Sequence, residues 1–271
     1  FVRPLGNRSP PYPLVIVQYR ARGFLRGGAG DFSPIQAYAR AGLAVLVVER
    51  PEATELSQRI VDDYELERRT WEGHQLRRDV VGALEQGIDF LISRGDVDPA
   101  RVGISGLSDG SVTTAYAISH THRFRAASIA GGSWEPMTYY MASPQARSFM
   151  TQLGIGMPGT ENDRAWDGVS LSRNADFIET PLLIQTGDRE LGAMLEPLVT
   201  LQEHGKPVEA YVFSDEYHLI WQPRHRLAMY RRNIDWFRFW LQNYEDPHSP
   251  YASQYPRWRE MRDRETQPSR Q

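Results

Sequence analysis

Residues Arg101 to Ser111 read R-V-G-I-S-G-L-S-D-G-S and contain one match to G-x-S-x-G, at Gly106, Leu107, Ser108, Asp109 and Gly110. A serine in this setting suits acyl transfer when it sits on a sharp strand-to-helix turn, because the turn exposes the hydroxyl while the glycines let neighbouring backbone and substrate approach. The flanks supply that context: Val102, Gly103 and Ile104 predict a strand, and Val112 to Ile118 a helix. Ser108 is therefore the candidate nucleophile. Ser105 is a rival, but Leu107 stands where its second glycine should be, so Ser105 and Ser111 are read as structural.

A serine hydroxyl is a poor nucleophile at neutral pH and needs a general base, which in turn needs a carboxylate to fix its tautomer. Among 7 histidines, His74 precedes a predicted helix, His120 and His122 follow one, His204 closes one, His225 starts one and His248 lies near the C-terminus. Only His218 falls in a loop directly after the last predicted strand, where the chain order Ser, acid, His would put it. The acid should end the strand before, and two carboxylates stand there, Asp188 and Glu190. Local spacing leaves both open. The oxyanion that forms during attack needs two donors, and the backbone N–H of Asp109, next after the nucleophile, supplies one.

These residues need a scaffold that brings strand ends together. Leu14 to Val17, Leu43 to Val48, Val102 to Ile104, Ala126 to Ala130, Leu182 to Thr186 and Val208 to Phe213 are apolar runs of the kind found in strands buried on both faces. Between them lie helical patterns: Ser33-Pro34 to about Ala41, an amphipathic stretch from Gln75 to Ser93, the helix after Ser108, one ending near His204, and one from about Arg226 to Asn243. Such alternation calls for a mostly parallel sheet with helices on both faces. Residues 20–30 carry four glycines and read as a loop at a strand's carboxyl end. Residues 133–180 have no strong period and are rich in Trp, Tyr, Met and Pro, so they read as a lid or pocket wall, with Trp134 and Tyr140 the candidate substrate contacts. Residues 1–243 are assigned to one catalytic domain and 244–271 to a charged, proline-punctuated tail.

The chain has 271 residues, 41% of them apolar, a net charge of −3 and no cysteine. The apolar share supports a sizeable core, and no apolar run approaches the roughly 20 residues needed to span a bilayer, so a soluble protein is expected. The 31 basic residues include a single lysine, Lys206, and are scattered, which argues against nucleic acid as a partner. The absence of cysteine excludes thiol catalysis and Cys-ligated zinc but leaves cytoplasm and periplasm both open. No metal or other cofactor is expected. The chain starts at Phe1, without a methionine or signal-type stretch, and is read as part of something longer.

The element order and two stretches, V-D-P-A-R-V-G-I-S-G-L-S-D-G from Val97 and Y-H-L-I-W-Q-P-R-H-R-L-A-M-Y-R-R-N-I-D-W-F from Tyr217, resemble the catalytic domain of the prolyl oligopeptidase family, a branch of the α/β-hydrolases. The resemblance covers roughly residues 12–243. It implies an α/β-hydrolase fold, hydrolysis of an amide through an acyl-enzyme, and an upstream β-propeller restricting access. In that family the acid stands three residues after a strand-ending glycine, as G-x-x-D. Counting from Gly187 reaches Glu190, so glutamate replaces aspartate and Asp188 becomes a turn residue. The resemblance also makes the Tyr19 hydroxyl the second oxyanion donor. Arg20 and Arg22 replace small residues of the family pattern and imply a cationic site mouth that receives a substrate carboxylate or carbonyl.

Three features together, G-L-S-D-G-S at the elbow, glutamate as acid, and Q-Y-R-A-R-G-F-L-R-G-G followed by V-V-E-R-P, resemble the lasso-peptide isopeptidases of proteobacteria. That likeness implies opening of the macrolactam ring of a threaded peptide, an amide between an α-amino group and an Asp or Glu side chain. Cleavage of linear peptides by an oligopeptidase or dipeptidyl peptidase, and a carboxylesterase with the same triad, are the alternatives.

Overall fold

The computed structural model describes residues 1–19, 33–49, 65, 68 and 71–265. Among the described residues, six parallel strands form one sheet: β1 (Tyr12–Tyr19), β2 (Ala44–Glu49), β3 (Val97–Leu107), β4 (Ala126–Ala130), β5 (Leu182–Gly187) and β6 (Val208–Phe213), in the order β2-β1-β3-β4-β5-β6. The helices are α1 (Ile35–Arg40), α2 (Gln75–Ser93), α3 (Asp109–His120), α4 (Pro136–Ala142), α5 (Pro144–Gln152), α6 (Leu191–Glu203), α7 (Pro223–Gln242) and α8 (Tyr255–Glu265).

The two-residue period of the strands divides the core into two layers. Leu14, Ile16, Val102, Ile104, Ile129 and Ile184 pack on one face with α2, α3 and the 150–178 region. Val15, Val17, Val45 and Leu183 pack on the other with Trp236, Phe237 and Phe239 of α7. With both faces covered, unbroken apolar runs are what a parallel sheet requires. This is the α/β-hydrolase architecture expected from the sequence. Strand order reverses between β1 and β3, so the crevice at their carboxyl ends is where such sheets bind ligands.

The stretch after Asn243 is not simply a charged tail: α8 docks on the second core layer, burying Tyr255, Trp258 and Met261 against Trp236 and Phe239. Three apolar residues at three-residue spacing form a narrow stripe, sufficient for docking but masked by the surrounding arginines and glutamates. Among the described residues, no helix is long and apolar enough to cross a membrane.

Candidate active site

Ser108 stands at the turn between β3 and α3 with φ 58° and ψ −123°, a conformation that a side-chain-bearing residue rarely adopts. The surroundings hold it there. Ser108 N–H donates to the Ala130 carbonyl at 2.9 Å, and Ser111 N–H donates back to the Ser108 carbonyl at 2.8 Å. The Ser111 hydroxyl lies 2.7 Å from the Ala130 carbonyl and receives the Ala130 N–H at 3.1 Å, tying the elbow to β4. A Cβ on Gly106 would overlap the Gly110 carbonyl, so the motif's first glycine is a steric necessity of this turn. Ser105, by contrast, is buried within β3.

His218 follows β6, and its Nδ1 lies 2.9 and 3.2 Å from the two carboxylate oxygens of Glu190, at the start of α6. This hydrogen bond pushes the His218 pKa above the ordinary 6.5, outweighing partial burial, which pulls it down. Asp188 is engaged elsewhere: its carboxylate accepts the N–H groups of Asp215 at 2.9 Å and Glu216 at 3.2 Å, clamping the loop that carries His218. The Asp215 amide first, with that of Glu216 and the Arg189 charge, holds the Asp188 carboxyl below the usual range despite some desolvation.

Ser108, Glu190 and His218 line one cavity of about 960 Å³. Gly131, with φ 62°, threads past them so closely that a Cβ there would sit 3.1 Å from His218 Nδ1 and 3.2 Å from Glu190 Oε2. A second histidine–glutamate pair exists, His225 Nδ1 to Glu216 Oε1 at 2.8 Å, but neither residue lines the cavity. Instead Glu216, 1% exposed, accepts the N–H groups of Trp221 and Gln222 as well. Its carboxylate thereby closes the loop around His218.

Tyr19 ends β1 with φ 91°, half-buried, and its Cβ would lie 3.1 Å from a Cβ built on Gly110. The chain therefore brings Tyr19 beside the elbow, aided by Gln18, whose side-chain amide donates to the Gly110 carbonyl at 2.6 Å. Asp109 lines the cavity directly after Ser108. Arg20 and Arg22 lie outside the described residues.

Trp134 lines the cavity and stacks on Trp71 at 4.2 Å between ring centres. Tyr140 is not among the lining residues; the neighbouring Tyr139 is, while the Tyr140 carbonyl accepts from Arg147 at 3.0 Å and its ring faces the same guanidinium. Met137 and Met141 of α4 form one wall, and Leu195 and Val199 of α6 another. Glu196 of α6 joins the walls by accepting the N–H groups of Met137 and Thr138. Behind them the fully buried Glu135 accepts from the hydroxyls of Ser133 and Ser170 at 2.6 Å each, and from Leu171 N–H at 2.9 Å.

Sequence reasoning did not single out Arg77, Glu135, Glu196 or Glu216. Arg77 carries a readable signal, since it falls in phase with Val81, Leu84, Ile88 and Leu91 on the buried stripe of α2. A charge there requires a buried partner. The others lie in loops or on a helix face where no period marks them.

Comparison with known proteins places these observations. The chain matches the prolyl oligopeptidase family over residues 35–244. It is 41% identical over 259 residues to the lasso peptide isopeptidase AtxE2 of Asticcacaulis excentricus, covering 95% of this chain and 37% of that protein. It is 28% identical over 161 residues to an uncharacterized peptidase, YuxL, of Bacillus subtilis, covering 56% of this chain and 24% of that one. The apo structure of the AtxE2 isopeptidase superposes with a TM-score of 0.89 at 40% identity, over 97% of this chain and 40% of the other. An acylaminoacyl peptidase of Pyrococcus horikoshii shares the fold, with a TM-score of 0.67 at 19% identity over 91% of this chain and 40% of the other. The chain thus spans well under half the length of these relatives. With a family match over most of its length and a G-x-S-x-G elbow at its centre, it belongs to the prolyl oligopeptidase family.

Proposed function

We propose that this chain is the catalytic part of a serine peptidase that opens the macrolactam ring of a lasso peptide through Ser108, His218 and Glu190. The observation that carries this reading is the 41% identity, across 95% of the chain, to a protein named for that activity. The site geometry supports it.

In this reading Ser108 Oγ attacks the isopeptide carbonyl and passes its proton to His218 Nε2, because Nδ1 is occupied by Glu190. The oxyanion is received by the Asp109 N–H and the Tyr19 hydroxyl. His218 returns the proton to the departing amine. Water then attacks the acyl-enzyme by the same route in reverse, leaving a free α-amine and a free side-chain carboxylate. Trp134 contacts the peptide within the cavity, Tyr140 flanks the wall, and the guanidinium groups of Arg20 and Arg22 would receive a substrate carboxylate or carbonyl. As the family resemblance implies, the whole polypeptide would carry an upstream β-propeller that restricts access.

The test is mass spectrometry of threaded and unthreaded peptides after incubation with the full-length protein. A threaded peptide should gain the mass of one water and become linear, and Ser108→Ala should abolish this. Cleavage of linear peptides with the ring left intact would assign an oligopeptidase instead. Turnover of esters alone would assign a carboxylesterase.

A further inference from the structure

Arg77 of α2 is a buried cation aimed at the residue next to the nucleophile. It is 6% exposed, and its Nη1 donates to Asp109 Oδ2 at 3.0 Å while Nη2 donates to Asp109 Oδ1. Nη1 also donates to Thr113 Oγ1 at 2.8 Å, one turn further along α3, and its guanidinium lies 5.8 Å from the ring centre of Trp134. One side chain therefore contacts the elbow helix at two levels and the cavity wall.

Asp109 occupies the first turn of α3, where the helix N-terminus favours a negative charge. The same carboxylate belongs to the residue whose N–H would stabilise the oxyanion, and Asp109 is among the residues that line the reacting cavity. A negative charge there opposes the charge that develops during attack. We propose that Arg77 is a positioning residue that neutralises Asp109 and draws its carboxylate to the α2 side, so that the Asp109 N–H serves the oxyanion without repulsion from its own side chain. The bidentate pairing suits arginine and not lysine, because the planar fork fixes the carboxylate in direction as well as charge. Contact with Trp134 adds a link from this pair to the substrate wall.

The inference rests on the serine-hydrolase reading of the site but not on the lasso substrate. Reaction with a fluorophosphonate probe reads it directly. Ser108 Oγ bonds to phosphorus, its proton goes to His218, the P–F bond breaks and fluoride leaves, with the phosphonyl oxygen in the oxyanion position. Arg77→Met is expected to lower the maximal labelling rate about 10- to 100-fold while the probe's half-saturating concentration changes less than about threefold. The double variant Arg77→Met/Asp109→Asn should recover most of that loss, since no charge remains to repel. Arg77→Lys should be intermediate. If Arg77→Met fails to fold, as judged by thermal melting, Arg77→Gln and its double variant carry the same comparison.

Labelling of the folded single variant at the wild-type rate would overturn the proposal. So would a double variant as slow as the single one, the result of a purely structural contact. Failure of the wild type to label at all would sink the serine-hydrolase reading, and this inference with it.

Discussion

Asp188 and Glu190 sit two residues apart at the end of β5, and their hydrogen-bond partners separate their roles. Glu190 meets His218 Nδ1, whereas Asp188 holds the backbone of Asp215 and Glu216. Glu190→Gln should therefore reduce kcat by orders of magnitude, since the imidazolium formed in the transition state loses its counter-charge and its tautomer is no longer fixed. Asp188→Asn keeps an acceptor for the loop and should cost far less; side-by-side kinetics showing the reverse order would return the role to Asp188. The same contact sets the pH dependence. Because Glu190 raises the His218 pKa, the base is protonated, and so inactive, up to a pH above 6.5. The acid limb of kcat/KM should lie above that value in the wild type and move to lower pH in Glu190→Gln. An unmoved limb would show that His218 is not the titrating base. The choice between these carboxylates was legible only through the family's spacing. Both are acidic, both follow the same strand, and local sequence cannot say which side chain turns towards the cavity.

At the scale of elements, the candidate residues Ser108, Trp134, Glu190 and His218 follow the carboxyl ends of β3, β4, β5 and β6, and the loops that carry Trp134 and His218 are braced by the buried Glu135 and Glu216. Glu216 is the clearest case. Burial pushes its carboxyl up, but the Trp221 and Gln222 amides together with His225 more than reverse this, holding it below the ordinary 4.5. A depressed carboxyl contributes stability above its unfolded pKa and loses it as pH falls through its folded value. The stability deficit of Glu216→Gln, measured by denaturant titration, should thus be largest near neutral pH and shrink below about pH 4.5. A deficit that stays constant with pH would remove the ionised carboxylate from the account. The substrate wall allows a second check. Trp134→Ala removes both the stack on Trp71 and part of the cavity lining, so unfolding free energy should fall by about 1–3 kcal/mol and KM should change differently among substrates. A uniform loss across substrates would make Trp134 packing alone. Strands and the long helices were readable because their apolar residues keep a strict period. The wall was legible as a stretch but not residue by residue, because α4 has only 7 residues, too few for a phase that would favour Tyr139 over Tyr140.

On the scale of the whole molecule, the sheet separates catalysis from anchorage. The cavity residues Val112, Trp134 and Tyr139 belong to, or pack on, the layer that holds α2 and α3, while α8 rests on the opposite layer against α7. The charged composition of residues 244–271 concealed this, since Arg257, Arg259 and Arg262 are interspersed with the apolar residues of the stripe and bond to Glu209, Glu245 and Asn243. What holds the helix is Trp258, fully buried, with its ring centre 5.0 Å from that of Trp236 and 5.6 Å from that of Phe239. Truncation to alanine would leave a void that close-packed neighbours fill only in part, at a cost of about 3–5 kcal/mol. For a domain of this size that corresponds to a melting transition lower by roughly 10 °C. Among the described residues, none of that layer lines the cavity, so Trp258→Ala should retain its kcat/KM at temperatures well below the transition. Differential scanning calorimetry and steady-state kinetics on the full chain decide it: lost activity in a still-folded protein would mean that the two layers are coupled and that α8 helps to position the site from across the sheet.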